Sequence, residues 1–301
     1  MRLPAEGAIV AGIDGSGSAR TAAMWAAGEA RLRGLPLRLV HVYTVPATNT
    51  PGVSLPREAV RAGFESRGLE WLAEARKEVL DRYPGLTVES AAREWIAVPA
   101  LVQESLSATM VVLGSRGLGG FTGMLVGSTA VALAHHGHCP IVVARGKQPD
   151  GAVPEDGPVV VGTDGSPSSA AALAFAFDEA QQRKAALIVV RTWSEMFDHG
   201  TVRPHFLDVD PAEIEAAERT EAEAQIAPWR EKYPDVAVEL FVRKGRPVRT
   251  LLEFGVKASL LVVGSRGRGG FQGMLLGSTS QALVAHAECP VAVIRPASPA
   301  E

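Results

Sequence analysis

The chain of 301 residues repeats itself at a fixed distance of 150 residues. The segment 9–16 (Ile-Val-Ala-Gly-Ile-Asp-Gly-Ser) returns as 159–166 (Val-Val-Val-Gly-Thr-Asp-Gly-Ser). The strongest copy is 114–129 against 264–279, in which thirteen of sixteen positions are identical. Repeats of about 20–50 residues must stack because none buries a core alone, whereas a much longer unit can bury its own. The repeat therefore predicts two similar domains, each with its own core.

The connection between the two copies is polar and contains prolines. Residues 146–157 include Pro149, Pro154 and three acidic residues, a composition typical of an exposed linker. We therefore expect one domain at 1–147 and a second at 156–298.

Short apolar runs alternate with helical patterns in each copy. In the first copy we predict strands at 8–13, 37–43, 86–90, 110–113 and 141–144, and helices at 18–33, 57–82, 98–106 and 128–136. Continuous apolar strands that alternate with helices are typical of a parallel sheet covered on both faces. In such α/β folds, ligands bind at the carboxyl ends of the strands, where the strand order reverses.

The composition excludes several classes of partner. Apolar residues make up 47% of the chain, the net charge is −3, and the arginines are interleaved with acidic residues. The chain has no basic stripe that would indicate nucleic-acid binding. No apolar run reaches the roughly 18 residues of a membrane span. The N-terminus enters a strand pattern without a charged-then-apolar leader. We therefore expect a cytoplasmic protein with no nucleic-acid or membrane partner.

Neither the cysteines nor the histidines form a pattern that is typical of metal binding. Cys139 and Cys289 stand one in each copy, and we expect two buried structural thiols rather than a redox pair. Three histidines lie within 135–138, but the second copy has only His286 there. We therefore expect no metal site built by the protein alone.

Each fourth strand leads into a glycine-rich segment and then a helix that starts with serine. Gly114-Ser115-Arg116-Gly117 is followed by nine residues and Gly127-Ser128, and the second copy repeats this spacing over 264–278. Glycines allow close backbone approach, successive N–H groups can bind phosphate oxygens, and a helix N-terminus favours negative charge. The pattern predicts a phosphate site, and the alternative is a long loop without a ligand.

Charged residues flank these segments in both copies. Asp14 and Asp164 follow the first strand of each copy, where a carboxylate can contact a ligand or bind local N–H groups in a turn. Arg116 and Arg266 can clamp a phosphate or stay in solvent. Both alternatives stay open at the level of the residues.

No catalytic motif is apparent. The chain has no GxxxxGK[ST] loop, no HExxH and no GxSxG elbow. No residue stands out as an activator of water, so we name no catalytic residue. A slow ATPase remains an alternative, because bound phosphate and metal need only a positioned water.

Taken together, these motifs resemble the universal stress protein family in its tandem form. Its ATP-binding members carry Gly, two residues, Gly, nine residues, Gly and then Ser or Thr, and both copies match this spacing. The Asp-Gly-Ser after the first strand and the Cys-Pro before the fifth also match. The resemblance implies two Rossmann-like (adenine nucleotide hydrolase-like) α/β domains. Each would hold a five-stranded parallel sheet of order 3-2-1-4-5 with helices on both faces.

The resemblance also implies one ATP site in each domain, with Mg²⁺ bound to the nucleotide. The backbone of Val42 and Thr192 would read adenine, Asp14 and Asp164 would lie near the ribose, and the glycine segments would hold the phosphates. The implied nucleotide-binding residues are Gly12, Asp14, Val42, Gly114, Ser115, Arg116, Gly117, Leu118, Gly119, Gly120, Gly127, Ser128 and Thr129, and in the second copy Gly162, Asp164, Thr192, Gly264, Ser265, Arg266, Gly267, Arg268, Gly269, Gly270, Gly277, Ser278 and Thr279.

The function implied by the resemblance is that of a regulatory, stress-response protein that binds ATP. We expect a homodimer and leave the protein partner open. The alternatives are a slow ATP-hydrolysing enzyme and a nucleotide-free interaction module.

Overall fold

Each half of the chain alternates strands with helices in the computed structural model, which describes residues 7–46, 56–117, 126–147, 153–194, 210–268 and 276–296. The first half contains β1 (Ile9–Gly12), α1 (Gly17–Arg33), β2 (Leu37–Tyr43), α2 (Arg57–Arg82), β3 (Val88–Glu94), α3 (Ala97–Glu104), β4 (Met110–Gly114), α4 (Ser128–His136) and β5 (Ile141–Ala144). The second half contains β6 (Val159–Thr163), α5 (Pro167–Arg183), β7 (Leu187–Trp193), α6 (Pro211–Lys232), β8 (Val238–Lys244), α7 (Pro247–Gly255), β9 (Leu260–Gly264), α8 (Ser278–His286) and β10 (Val291–Ile294).

The strands of each half pair in parallel in the predicted order. The first half runs β3-β2-β1-β4-β5, and the second runs β8-β7-β6-β9-β10. In the first half Ile9 pairs with Leu37 on one side and with Met110 on the other, so β1 lies between β2 and β4. The strand order reverses between β1 and β4, and between β6 and β9. The α/β fold class and the strand order are thus confirmed.

Small side chains let the first helix of each half approach its sheet closely. In α1 the residues Ala22, Ala23 and Ala26 are fully buried, and they pack over strands whose own side chains are fully buried. Gly12 ends β1 at a point where an added Cβ would lie 2.5 Å from the Leu113 side chain. This glycine is therefore needed for packing, whatever else it does.

The third strand differs from its prediction. It spans Val88–Glu94 rather than 86–90, and all seven residues pair with β2. β3 is the outer strand of its half, so it pairs on one side only and carries polar residues along most of its length. The prediction was wrong because it searched for a continuous apolar run, which an outer strand does not need.

Equivalent positions of the two halves hold different chemistry on the same backbone. In the first half the fully buried Glu104 accepts a hydrogen bond from Arg38 Nε at 3.2 Å. The residue 150 positions later is Phe254, whose ring lies 4.9 Å from that of Phe241 and is covered by the Arg243 guanidinium at 5.1 Å. A buried ion pair in one half is thus replaced by an aromatic pair in the other.

The helices α1 and α5 end in the same left-handed turn. Gly34 adopts φ 64° at the end of α1, and Lys184 adopts φ 52° at the end of α5. A residue with a Cβ is strained in this region by about 1–2 kcal/mol, whereas glycine is not.

We expect Lys184→Gly to raise the free energy of unfolding of the second half by about 1 kcal/mol, because it removes this strain. The reverse change, Gly34→Lys, should lower the stability of the first half by a similar amount. No atom lies within 4 Å of a Cβ built on Gly34, so this change tests backbone strain alone. Urea unfolding of both variants measures the effect, and a Lys184→Gly variant that is less stable than the parent would contradict it.

Candidate functional site

The turn after β1 holds an aspartate in a fixed orientation. Asp14 Oδ1 accepts hydrogen bonds from Ser16 N at 3.0 Å and from Ser16 Oγ at 2.6 Å. The same serine caps α1 by accepting a hydrogen bond from Ala19 N at 3.1 Å. The second half repeats the turn, with Ser166 N donating to Asp164 Oδ1 at 3.0 Å. The local-turn interpretation of these aspartates is therefore confirmed for one carboxylate oxygen of each.

The other carboxylate oxygen lies against the glycine segment. A Cβ on Gly117 would lie 2.5 Å from Asp14 Oδ2, and a Cβ on Gly267 would lie 2.5 Å from Asp164 Oδ2. Real Cβ atoms essentially never approach so closely. A side chain at either position would therefore force the aspartate carboxylate out of the position it holds under the segment.

A serine on the first turn of α1 holds the start of the glycine segment. Ser18 Oγ accepts a hydrogen bond from Arg116 N at 3.2 Å and lies 3.5 Å from Ser115 Oγ. A Cβ on Gly114 would lie 2.5 Å from the same Ser18 Oγ. In the second half Ser168 Oγ lies 3.5 Å from the Ser265 hydroxyl. The loop after β4 is thus joined to the helix that follows β1.

The far end of the glycine segment returns to its start. Gly127 N donates to Ser115 O at 2.8 Å, and Gly277 N donates to Ser265 O at 2.8 Å. Gly127 and Gly277 are the N-caps of α4 and α8, and as glycines they offer no side chain to cap the helix. The N-terminus of each helix is thereby brought beside the aspartate turn.

These helix starts are suited to bind an anion. The first N–H groups of an α-helix have no partner within the helix, and the helix dipole makes this end positive. Ser128 and Ser278 are exposed there, while Thr129 and Thr279 are half-buried. Ser128 and Ser278 are the first helical residues after the glycine N-caps, where no side chain caps the helix. The arrangement occurs at the point where the strand order reverses, in both halves.

The second aspartate is held as a carboxylate. Burial by itself raises the pKa of Asp164, but hydrogen bonds from Ser166 and from Arg268 N outweigh burial and lower the pKa below its usual value. Arg268 N donates to Asp164 Oδ2 at 2.9 Å. An ionised carboxylate at this place accepts hydrogen bonds, as from hydroxyl groups of a sugar.

Two arginines follow the strands β9 and β10 of the second half. Arg266 is exposed after β9, and Arg295 follows β10. Burial and the neighbouring Arg266 guanidinium lower the pKa of Arg295. Two guanidinium groups that affect one another in this way favour a nearby anion.

The remaining predicted residues lie along the same edge of each sheet or outside the described part of the chain. Val42 and Thr192 are half-buried and stand one residue before the ends of β2 and β7. Gly162 is close-packed against Leu251, as Gly12 is against Leu113. Leu118, Gly119, Gly120, Gly269 and Gly270 lie outside the described residues.

Sequence reasoning identified Ser16 as part of the Asp-Gly-Ser motif but did not include the serines that assemble the site among the site residues. Ser16 and Ser18 return as Ser166 and Ser168 at the offset of 150 residues, so the repeat itself contained a signal for them. Their role depends on contacts over about a hundred positions, such as Ser16 Oγ to Arg116 O at 3.3 Å. A motif search restricted to the glycine segment does not find them.

The described residues contain no group of three or more His, Cys, Asp or Glu side chains arranged to hold a metal ion. Cys289 is fully buried and Cys139 is half-buried, and burial raises the pKa of both thiols to about 12. Within the same part of the chain, no helix is long and apolar enough to cross a membrane.

Comparison with known proteins gives one consistent result. The model described as "Universal stress protein family" matches residues 7–145 and 157–295. A universal stress protein of Mycobacterium tuberculosis is 40% identical over 297 residues, covering 95% of this chain and 96% of that protein. A universal stress protein of Mycolicibacterium smegmatis is 37% identical over 292 residues, covering 96% and 97% of the two chains.

Solved structures share the fold. The crystal structure of a universal stress protein from Archaeoglobus fulgidus superposes with a TM-score of 0.69 at 19% identity, covering 96% of this chain and 98% of that chain. A universal stress protein structure from Pseudomonas aeruginosa superposes with a TM-score of 0.59 at 18% identity, covering 97% and 94%. At this level of identity the likeness concerns the fold alone.

We expect Asp164→Asn to destabilise the second half by about 1–3 kcal/mol at neutral pH, because hydrogen bonds to the carboxylate are lost or weakened. The folded pKa of Asp164 is lowered, so its contribution is present above the unfolded pKa of about 3.9 and is lost as the pH falls through the folded value. Urea unfolding at neutral pH and near pH 3 should show a difference that shrinks in acid. Asp156→Asn, in the exposed linker, is the control, and a difference independent of pH would contradict the prediction.

We expect both thiols to react slowly with iodoacetamide in the native protein near neutral pH, since burial raises each pKa to about 12 and leaves little thiolate. Labelling in urea supplies the reference rate of an exposed thiol. Native labelling at that reference rate would contradict the buried environment of Cys139 and Cys289.

Proposed function

The chain belongs to the universal stress protein family, and we propose that each of its halves binds one molecule of ATP at the carboxyl edge of its sheet. The observation that carries the proposal is that one arrangement suited to hold an anion is built twice. In each half a glycine segment closes on itself, places an uncapped helix N-terminus beside an aspartate turn, and lies where the strand order reverses. Ligands of open α/β sheets bind at such points.

In this proposal the phosphates lie on the N-termini of α4 and α8. The first-turn N–H groups and the hydroxyls of Ser128 and Thr129, or of Ser278 and Thr279, donate to phosphate oxygens. The glycine segments pass close to the phosphates because they lack side chains that would exclude them. Arg116 and Arg266 supply positive charge from the loop.

The nucleoside lies toward the first and second strands of each half. The carboxylates of Asp14 and Asp164 accept hydrogen bonds from the ribose hydroxyls. The backbone at Val42 and at Thr192 faces adenine, at the ends of β2 and β7. The full proposed set is that given under Sequence analysis, including the glycines outside the described residues.

Mg²⁺ enters this proposal with the nucleotide. Mg²⁺ in nucleotide sites is typically held by one or two protein oxygens together with phosphates and waters. The hydroxyl of Ser128 or Ser278 is an oxygen donor of this kind. When bound, the ion would neutralise phosphate charge, while the chain's own groups position the nucleotide.

The role of bound ATP is regulatory in this proposal, in a stress response, rather than that of a substrate in rapid turnover. Asp14 Oδ1 already accepts hydrogen bonds from the N–H and the hydroxyl of Ser16, and Oδ2 lies against Gly117. This carboxylate is therefore engaged in shaping the turn and is poorly placed to activate water. Domain limits of 1–147 and 156–298, a homodimer and a cytoplasmic location belong to the same proposal.

We expect freshly purified protein, once denatured, to release one ATP for each half, identified by chromatography. Gly117→Ala should remove the nucleotide of the first half and Gly267→Ala that of the second, because a Cβ at either position would displace an aspartate oxygen that lies 2.5 Å away. The double variant should release none. Gly63→Ala is the matched control, since no atom lies within 4 Å of a Cβ built there.

Two other results of this experiment would favour the alternative functions. Release of ADP instead of ATP would indicate the slow ATP-hydrolysing enzyme. Wild-type protein that neither releases nor binds an adenine nucleotide on titration would overturn the proposal and leave a nucleotide-free interaction module.

A further inference from the structure

The two candidate sites are supported by different side chains at equivalent positions. The Asp-Gly-Ser turn of each half packs against the helix that follows the second strand, which is α2 in the first half and α6 in the second. At three positions separated by 150 residues, the first half has His41, Gly68 and Trp71, where the second half has Arg191, Glu218 and Glu221.

The support of the first turn is aromatic. The indole of Trp71 covers Gly15 so closely that a Cβ on this glycine would overlap the ring. His41 meets Trp71 edge to face with a centroid distance of 5.3 Å, and its Nδ1 lies 2.7 Å from Ile13 O. The turn that carries Asp14 therefore rests on two rings.

The support of the second turn is ionic. Arg191 is 1% exposed, and its guanidinium contacts Glu218 Oε2 at 2.5 Å and Glu221 Oε2 at 2.7 Å. The second oxygen of Glu221 pairs with Arg268 Nη2. The guanidinium of Arg268 covers Gly165 so closely that a Cβ built on this glycine would overlap it. Arg268 thus takes the place that Trp71 has in the first half, but it comes from the glycine segment.

Arg268 connects the second glycine segment to the aspartate turn and to α6. Arg268 directly follows Gly267, its N–H donates to Asp164 Oδ2 at 2.9 Å, and its side chain reaches Glu221 of α6. Among the described residues, these ion pairs join the two guanidiniums of Arg191 and Arg268 to the two carboxylates of Glu218 and Glu221. Moving Arg268 to a phosphate would break its pair with Glu221 and leave the carboxylates of Glu218 and Glu221 next to an anionic ligand, which repels them.

We propose that the Glu221–Arg268 ion pair is a positioning device of the second site only, which makes the two nucleotide sites of the chain unequal. The pair holds the start of the second glycine segment against Asp164, and an ordered segment binds its ligand with a smaller loss of conformational entropy. Arg268 belongs to the proposed set of nucleotide-binding residues, but it acts through this placement and not by contact with phosphate. The inference rests on the proposed function, since it concerns how firmly the second half holds ATP.

Titration calorimetry with Mg²⁺–ATP tests each site separately. The Gly117→Ala background leaves the second site to be measured, and the Gly267→Ala background leaves the first. In the first background, Arg268→Leu, which installs the residue found at Leu118, should weaken binding about fivefold, the limit expected for a partly exposed ion pair. Glu221→Gln should weaken it similarly, and Arg268→Lys should restore most of the affinity. In the Gly267→Ala background none of these changes should alter binding.

Glu221→Gln separates positioning from charge. If Arg268 were itself a phosphate ligand, removing the negative Glu221 would free it and tighten binding, while Arg268→Leu would still weaken binding. That pair of results would overturn the proposal, and so would unchanged affinity in both variants. Equal weakening of the first site would also overturn the proposal. The control variant is Arg249→Leu, because the ion pair of Arg249 with Glu253 lies on the exposed surface of α7, and the same loss of affinity in this variant would overturn the proposal too. Absence of ATP binding in the wild-type chain would instead overturn the proposed function.

Discussion

The parallel pairing of β1 with β4, and of β6 with β9, is the constraint on which each candidate site depends. It brings the turn after the first strand beside the segment after the fourth, although about a hundred residues separate them in the chain. The two connections are then joined by serines, with Ser18 Oγ accepting from Arg116 N at 3.2 Å. Because the strand order reverses at this pairing, the helices leave on opposite faces and a crevice is left between the loops.

The two halves share this backbone but differ in the side chains that support the aspartate turn. The buried Glu104 of the first half corresponds to Phe254, and the indole of Trp71 corresponds to the carboxylate of Glu221. Aromatic packing and paired charges can each fill the same space, provided that every buried charge has a partner. Residues that bear on the proposed ligand, such as the aspartate, the serines and the glycines, are kept in both halves. The halves differ in the residues that support the turn, and also at Val42 against Thr192 and at Leu118 against Arg268.

Local patterns predicted the elements that a single sequence can specify by itself. The limits of β2, α2, α4 and β5 agree with their predictions, since apolar runs and helical periodicity report burial directly. β3 was misplaced because its regularity comes from pairing with β2, and its polar residues carry no burial signal. The glycine spacing predicted an anion site, but the contacts that the hydroxyls of Ser16 and Ser18 make across the loops follow only from the fold.

The sequence by itself determined that the chain is a duplicated α/β protein with a glycine-rich segment after each fourth strand. These features are local or repeat at a fixed offset, so no contact has to be known to see them. Only the tertiary structure shows that a Cβ on Gly117 or Gly267 would meet an aspartate oxygen. It also shows which oxygen of each aspartate accepts the hydrogen bonds of the turn, and that Arg268 pairs with Glu221. Each of these depends on residues from separate elements meeting within a few ångströms, and the distances between them follow only from how the strands are ordered in the sheet.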